Sequence, residues 1–159
     1  MDIRPAAAPD AEAIVDCLRI AFEPYRTRYT PAAFADTVPN ASGIADRLRS
    51  MTVFVAIHDG AVIGTIGCAI HEGGEGHLRG MAVRPEWQGS DVARRLLDAA
   101  EAELIARSCA RVTLDTTEPL TRAARFYEKC GYRRTGRRTG FFGMPLFEFA
   151  KGLTTNRRT

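Results

Sequence analysis

Two apolar runs, Thr52–Ile57 and Ala61–Ile70, meet across Asp59-Gly60, and no other part of the chain leaves so few choices of fold. Both runs are rich in the β-branched residues that pack well on a pleated surface. Asp-Gly suits a tight turn whose central positions need positive φ. The stretch therefore predicts an antiparallel hairpin, and the rest of the chain has to supply what covers it.

Helical periods precede the hairpin. Asp10 after Pro9 predicts a capped helix with Ala11, Ile14, Val15, Leu18, Ala21 and Phe22 as its apolar positions, stopped by Pro24. Thr30-Pro31 reads as a cap plus a first-turn proline, opening a second helix that Pro39 interrupts, and a short third helix is expected around Ile44–Arg49. Glycines 73, 74 and 76 predict a loop and His77–Val83 a third strand. Gln88–Arg107 is the longest expected helix, with Val92, Leu96, Leu97, Ala100, Leu104 and Ile105 on one face. Then come a strand at Arg111–Asp115, a helix from Pro119 to Lys129 ended by Gly131, and strands near Tyr132–Arg138 and Met144–Ala150. This order predicts one α+β (mixed α/β) domain over residues 1–153. Its core would be a central mixed, largely antiparallel twisted sheet of about six to seven strands, flanked by about four helices. Residues 154–159 read as a polar C-terminal tail.

Composition narrows the function classes. With 159 residues, 45% of them hydrophobic and 26% charged, the chain has the usage of a globular domain and lacks the long apolar run of a membrane helix. Cys17, Cys68, Cys109 and Cys130 lie too far apart for a zinc or redox motif. They read as separate thiols in a reducing compartment, and no metal is expected. The start Met1-Asp2-Ile3-Arg4-Pro5 has no basic-then-apolar pattern, so a cytoplasmic location is expected. The net charge of +3 combines −5 over residues 1–106 with +8 over residues 107–159. The basic arginines of the second part are spread over several elements without a nucleic-acid module, so neither nucleic acid nor membrane is an expected partner.

Two stretches carry chemistry. In Met81-Ala82-Val83-Arg84-Pro85-Glu86-Trp87-Gln88-Gly89-Ser90-Asp91-Val92-Ala93-Arg94, a strand ends and a helix begins. Unpartnered first-turn amides and the helix dipole make such a place attractive to phosphate, and Gly89 allows close backbone approach. The same residues equally describe a plain turn capped by Ser90 or Asp91. In the second stretch, Pro119 to Tyr132, Tyr127 offers a phenol that keeps its proton at neutral pH, although a tyrosine there also suits a core position.

Together the stretches resemble the GNAT superfamily of acyl-CoA-dependent N-acetyltransferases. The family's phosphate signature, Gln/Arg-x-x-Gly-x-Gly/Ala after a Met-Ala-Val-like strand, maps to Gln88-Gly89-Ser90-Asp91-Val92-Ala93. Its later signature, Ala-x-x-Phe/Leu-Tyr-x-x-x-Gly-Phe/Tyr, maps to Ala123 through Tyr132. The resemblance implies acetyl-CoA as co-substrate, with Met81, Ala82 and Val83 along the pantetheine arm and thioester. Gln88, Gly89, Ser90, Asp91, Val92, Ala93 and Arg94 would surround the pyrophosphate, and Tyr127 would protonate the departing thiolate. The sheet would splay between the strands ending at Val83 and Asp115. Two residues depart from the pattern: Asp91 replaces the usual second glycine, and Leu120 stands where many members have an Asn contacting the pantetheine arm.

The resemblance implies acetyl transfer to a primary amine, small molecule or peptide, by direct attack in a ternary complex. The alternative is a degenerate acyl-CoA-binding or regulatory module without catalysis. For the base that takes the amine proton, the order of candidates is His77, Asp115 and Glu75. The acceptor pocket would draw on the first two helices and the last hairpin, where Arg137 and Arg138 suit an amine that also carries a carboxylate or phosphate. Relatives are often homodimers, though no feature of this sequence shows one.

Overall fold

A computed structural model describes residues 1–153, so the expected tail at 154–159 lies outside the described residues. Seven strands, β1 (Asp2–Pro5), β2 (Thr52–His58), β3 (Ala61–Ile70), β4 (Gly76–Val83), β5 (Arg111–Thr117), β6 (Arg133–Phe141) and β7 (Met144–Gly152), form one sheet in the order β1-β2-β3-β4-β5-β7-β6. Every neighbouring pair is antiparallel except β4 and β5, which run parallel. Five α-helices flank it: α1 (Ala11–Phe22), α2 (Pro31–Thr37), α3 (Ala41–Ser50), α4 (Val92–Ala106) and α5 (Thr121–Lys129).

The hairpin forms as its sequence requires, with positive φ at both Asp59 and Gly60. Alternation along β2 then divides the core. Val53 and Val55 pack with Ile14, Leu18 and Ile44 of α1 and α3, while Phe54 and Ala56 pack with Leu96, Leu97 and Leu104 of α4. The central strands are thus buried on both faces. The α4 face is the larger layer and also takes in Tyr127 of α5 and Phe149 of β7. Each fully buried leucine in it contributes about 1.5–3 kcal/mol of apolar burial. Two glycines let α4 lie close: a Cβ on Gly64 would stand 2.9 Å from Leu96, and one on Gly76 would stand 2.8 Å from Leu104.

Several expectations change, the helix count among them: five where about four are expected. No sequence period predicts β1, because four residues with a terminal proline at a sheet edge give none to detect. Helix α4 begins at Val92 rather than Gln88, since Gln88 is extended and Gly89 turns left-handed at φ 85°. Helix α5 begins at Thr121 rather than Pro119, because Leu120 first closes a turn onto the Thr117 carbonyl. The last two strands run further, to Phe141 and Gly152, as an edge hairpin docked on β5. All four cysteines are buried free thiols, and no group of metal-ligating side chains occurs among the described residues. No helix among them is long and apolar enough to cross a membrane.

Candidate active site

Strands β4 and β5 pair at only two positions, Gly76 with Val112 and His77 with Thr113. Beyond these, β4 stays with β3 and β5 stays with β7, and the two strands part. A bulge contributes: Thr65 faces Ala82 but Gly67 faces Arg79, so β4 carries one extra residue at Gly80–Met81, and Gly80 has φ 71°. Bulges bend and twist a strand. The gap opens a cleft of about 900 Å³ through the sheet, lined by β4 from His77 to Val83 and by Asp115, Thr116 and Thr117 of β5. Among the described residues, the backbone groups of β4 that face this gap pair with no strand.

One end of the cleft is the turn from β4 into α4. Arg95 N–H is the first amide to close onto a helix carbonyl, that of Asp91 at 3.0 Å, so the amides before it lack intrahelical backbone partners. Ser90 Oγ donates to the Trp87 carbonyl and, among the first-turn amides, accepts only from that of Val92, at 3.4 Å. Gln88 is held by donating to the Val83 carbonyl at 3.1 Å and accepting from Arg122 at 3.4 Å. Arg122, Arg125 and Lys129 of α5 line the same cleft, giving this end a positive field from amides, dipole and side chains together.

Tyr127 is 6% exposed and stands in the cleft wall. Edge contacts with Phe126 and Tyr132 fix its ring, and Tyr132 is itself tied down by donating to Glu101 at 2.7 Å. Burial, with a smaller contribution from Cys130, pushes the Tyr127 phenol upward, so it stays protonated at neutral pH. No protein hydrogen bond engages its hydroxyl among the described residues.

The candidate bases meet at the root of the splay. His77 Nδ1 is 2.8 Å from Thr113 Oγ1, and its ring stacks on His71 at 4.6 Å. Burial, followed by His71 and Arg79, holds the imidazole pKa down to about 4, so it is neutral. Its Nε2 lies 3.8 Å from Asp115 Oδ2, too far for a hydrogen bond, and with a neutral ring the two form no ion pair. Asp115 is pushed upward by burial and by Glu148, which faces it across β5 and β7. Glu148 in turn accepts from Thr135 Oγ1 at 2.8 Å.

The cleft thus collects His77, Met81, Ala82, Val83, Gln88, Gly89, Ser90, Ala93, Asp115, Leu120 and Tyr127. It leaves out Asp91, Val92 and Arg94. Asp91 is exposed and caps nothing with its side chain, Val92 is buried in the core, and Arg94 pairs with Asp98 at 3.2 Å. Glu75 pairs with Arg111 and does not line the cleft. The hairpin arginines are elsewhere too: Arg134 and Arg138 lie over Phe147, and Arg137 extends toward Glu148 at 4.0 Å. Sequence reasoning passed over the α5 cations, whose spacing at Arg122, Arg125 and Lys129 marks one helical stripe. It also passed over His71, Arg47 and Arg79, which no local pattern singles out.

A model of the Acetyltransferase (GNAT) family matches residues 12–132. The chain is 37% identical over 71 residues to aminoglycoside N(6')-acetyltransferase type 1 of Stenotrophomonas maltophilia. That match spans 45% of this chain and about half, 46%, of the relative. Among solved structures, the PaiA N-acetyltransferase of Thermoplasma acidophilum in complex with coenzyme A superposes with a TM-score of 0.82 at 17% identity, over 95% of this chain and 98% of that one. An aminoglycoside 6'-acetyltransferase type Ii superposes with a TM-score of 0.75 at 20% identity over the whole of both chains. At such identities the structural likeness concerns the fold, whereas the family model covers most of the sequence, from α1 through the Tyr127 helix to Tyr132. The chain belongs to the GNAT family of acetyltransferases.

Proposed function

We propose that this protein transfers an acetyl group from acetyl-CoA to a primary amine by direct attack within a ternary complex. The observation that carries the reading is the parting of β4 from β5 beside the start of α4. It exposes a strand edge to an amide-bearing ligand and sets unpartnered helix amides at one end for phosphates. Met81, Ala82 and Val83 would hold the pantetheine arm. Gln88, Gly89, Ser90 and Ala93, with Arg122, Arg125 and Lys129, would hold the pyrophosphate.

The reaction forms a bond from the amine nitrogen to the thioester carbonyl carbon and breaks the carbon–sulfur bond. A lysine-like amine is protonated at neutral pH, and freeing its lone pair costs about 4.6 kcal/mol. Asp115 takes that proton in this reading, directly or through water, because burial and Glu148 raise its basicity. His77 loses the advantage a histidine would have at neutral pH, since at about 4 it is no stronger a base than a carboxylate. It remains a neutral polar group beside Asp115. Tyr127 gives its proton to the leaving thiolate. The aminoglycoside acetyltransferases among its relatives act, by their names, on amino groups, which supports an amine acceptor.

Thermal unfolding with increasing acetyl-CoA, paired with release of free thiol over a panel of amines, tests the reading. Acetyl-CoA at 100 times its Kd adds about 2.7 kcal/mol, a rise of roughly 5–11 °C in Tm for a domain of this size. No rise would remove the cofactor assignment. A rise without acetylation of any amine would identify a non-catalytic acyl-CoA-binding module instead.

A further inference from the structure

The cleft has cations at both ends, and only one set is explained by phosphates. Arg122, Arg125 and Lys129 stand with the start of α4 on one side of the sheet. Arg47 stands on the other, projecting from α3 among the residues of α1 and β4. Its guanidinium lies over the β4 bulge, where a Cβ on Gly80 would meet Nη1 at 2.8 Å. The same residue borders a small cavity with Ile14, Leu18 and Ile44, so its stem rests on the apolar core.

No carboxylate pairs with Arg47 among the described residues. The adjacent acid, Asp36, is already taken by Arg79 at 2.8 Å. This corner of the cleft therefore carries one uncompensated positive charge. Burial, then Arg79, holds the Arg47 pKa down to about 10, which leaves it charged at neutral pH. A half-buried guanidinium without a counter-ion is costly, and the fold gains no ion pair from it. Phe22, Tyr25 and Met51 line the same part of the cleft, and Asp115 lies at the root of the splay. An acceptor lying in the cleft thus meets a carboxylate where its amine reacts and a guanidinium at a distance from it.

We propose that Arg47 binds a carboxylate of the acceptor, so that the substrate is an amine that also carries one carboxylate, joined by an apolar or aromatic spacer. The single net charge of the Arg47, Arg79 and Asp36 group matches a monoanion better than a phosphate dianion, and it opposes a polycation such as an aminoglycoside. The inference rests on the acetyltransferase reading and names its acceptor class.

The test compares near-isosteric pairs: 4-(aminomethyl)benzoate against its carboxamide, and ω-amino acids of increasing length against their primary amides. In the wild-type protein the best acid is expected to exceed its amide by about 10-fold or more in kcat/KM, the range of a charge-assisted hydrogen bond. Arg47→Gln is expected to bring the ratio close to one through the KM of the acid, and Arg47→Lys to keep part of it. Titration of the same probes into free and CoA-saturated protein reads the preference without turnover. If acetyl-CoA fails to bind, the enzymatic reading falls, while probe binding to the free protein still judges Arg47. Equal affinity for acid and amide across the series would overturn the proposal. So would an acid preference that survives in a folded Arg47→Gln protein, or better acceptance of an aminoglycoside than of every acid probe.

Discussion

Replacing His77 by Gln should remove a pH dependence of stability whose size follows from its burial. In the unfolded chain the imidazole titrates near its ordinary value of 6.5, and in the folded protein at about 4. The folded state therefore binds fewer protons between these values, and stability present above the unfolded pKa is lost as pH falls toward the folded one. At 1.36 kcal/mol per pH unit the full loss is about 3 kcal/mol, of which about 2 kcal/mol is gone by about pH 5. His77 is 18% exposed, so solvent screening does little to reduce this figure. Urea unfolding of the wild type and His77→Gln at about pH 7 and about pH 5 isolates it. The direct cost of the substitution is the same at both pH values and cancels in the double difference. A wild type that weakens by about 2 kcal/mol more than the variant is the expected result. A double difference below about 0.5 kcal/mol would refute the argument that burial keeps this ring neutral.

Tyr127→Phe should lower kcat by about 100-fold or more with little change in Tm, because the lost hydroxyl engages no protein group among the described residues; steady-state kinetics with thermal unfolding reads both. Gly89→Ala would put its methyl in ordinary contact with Arg122 Nη2, at 3.7 Å, but forces a side chain to φ 85°, so it should weaken acetyl-CoA binding by about 10-fold in calorimetric titration. Asp91→Gly should alter that affinity by less than about threefold, since the carboxylate is exposed and outside the cleft; a large gain would mean that Asp91 does impair the phosphate site. Gly64→Ala would drive a methyl to within 2.9 Å of Leu96 and 3.2 Å of the Ala82 carbonyl, and should cost about 1–3 kcal/mol in chemical denaturation.

Local chemistry made much of this fold and site legible. The hairpin around Asp59-Gly60, the Thr30 cap that accepts from the Ala33 amide, and the buried face of α4 are each set by a few neighbouring residues, and each forms as its sequence requires. The end of the cleft beside α4 draws on continuous segments, Met81 to Ala93 and Ala123 to Tyr132, and so lies within reach of motif reading. What the sequence alone did not decide is whatever depends on two distant segments meeting. The neutrality of His77 comes from burial beside Thr113 and His71, and Asp115 is raised by burial and then by Glu148, on a strand reached only after α5 and β6. Arg47 and the hairpin arginines are alike as isolated residues. Tertiary packing puts the first in the cleft with no counter-ion among the described residues and spreads the others over Phe147 and toward Glu148, because position in the fold decides which charges lose their water and partners.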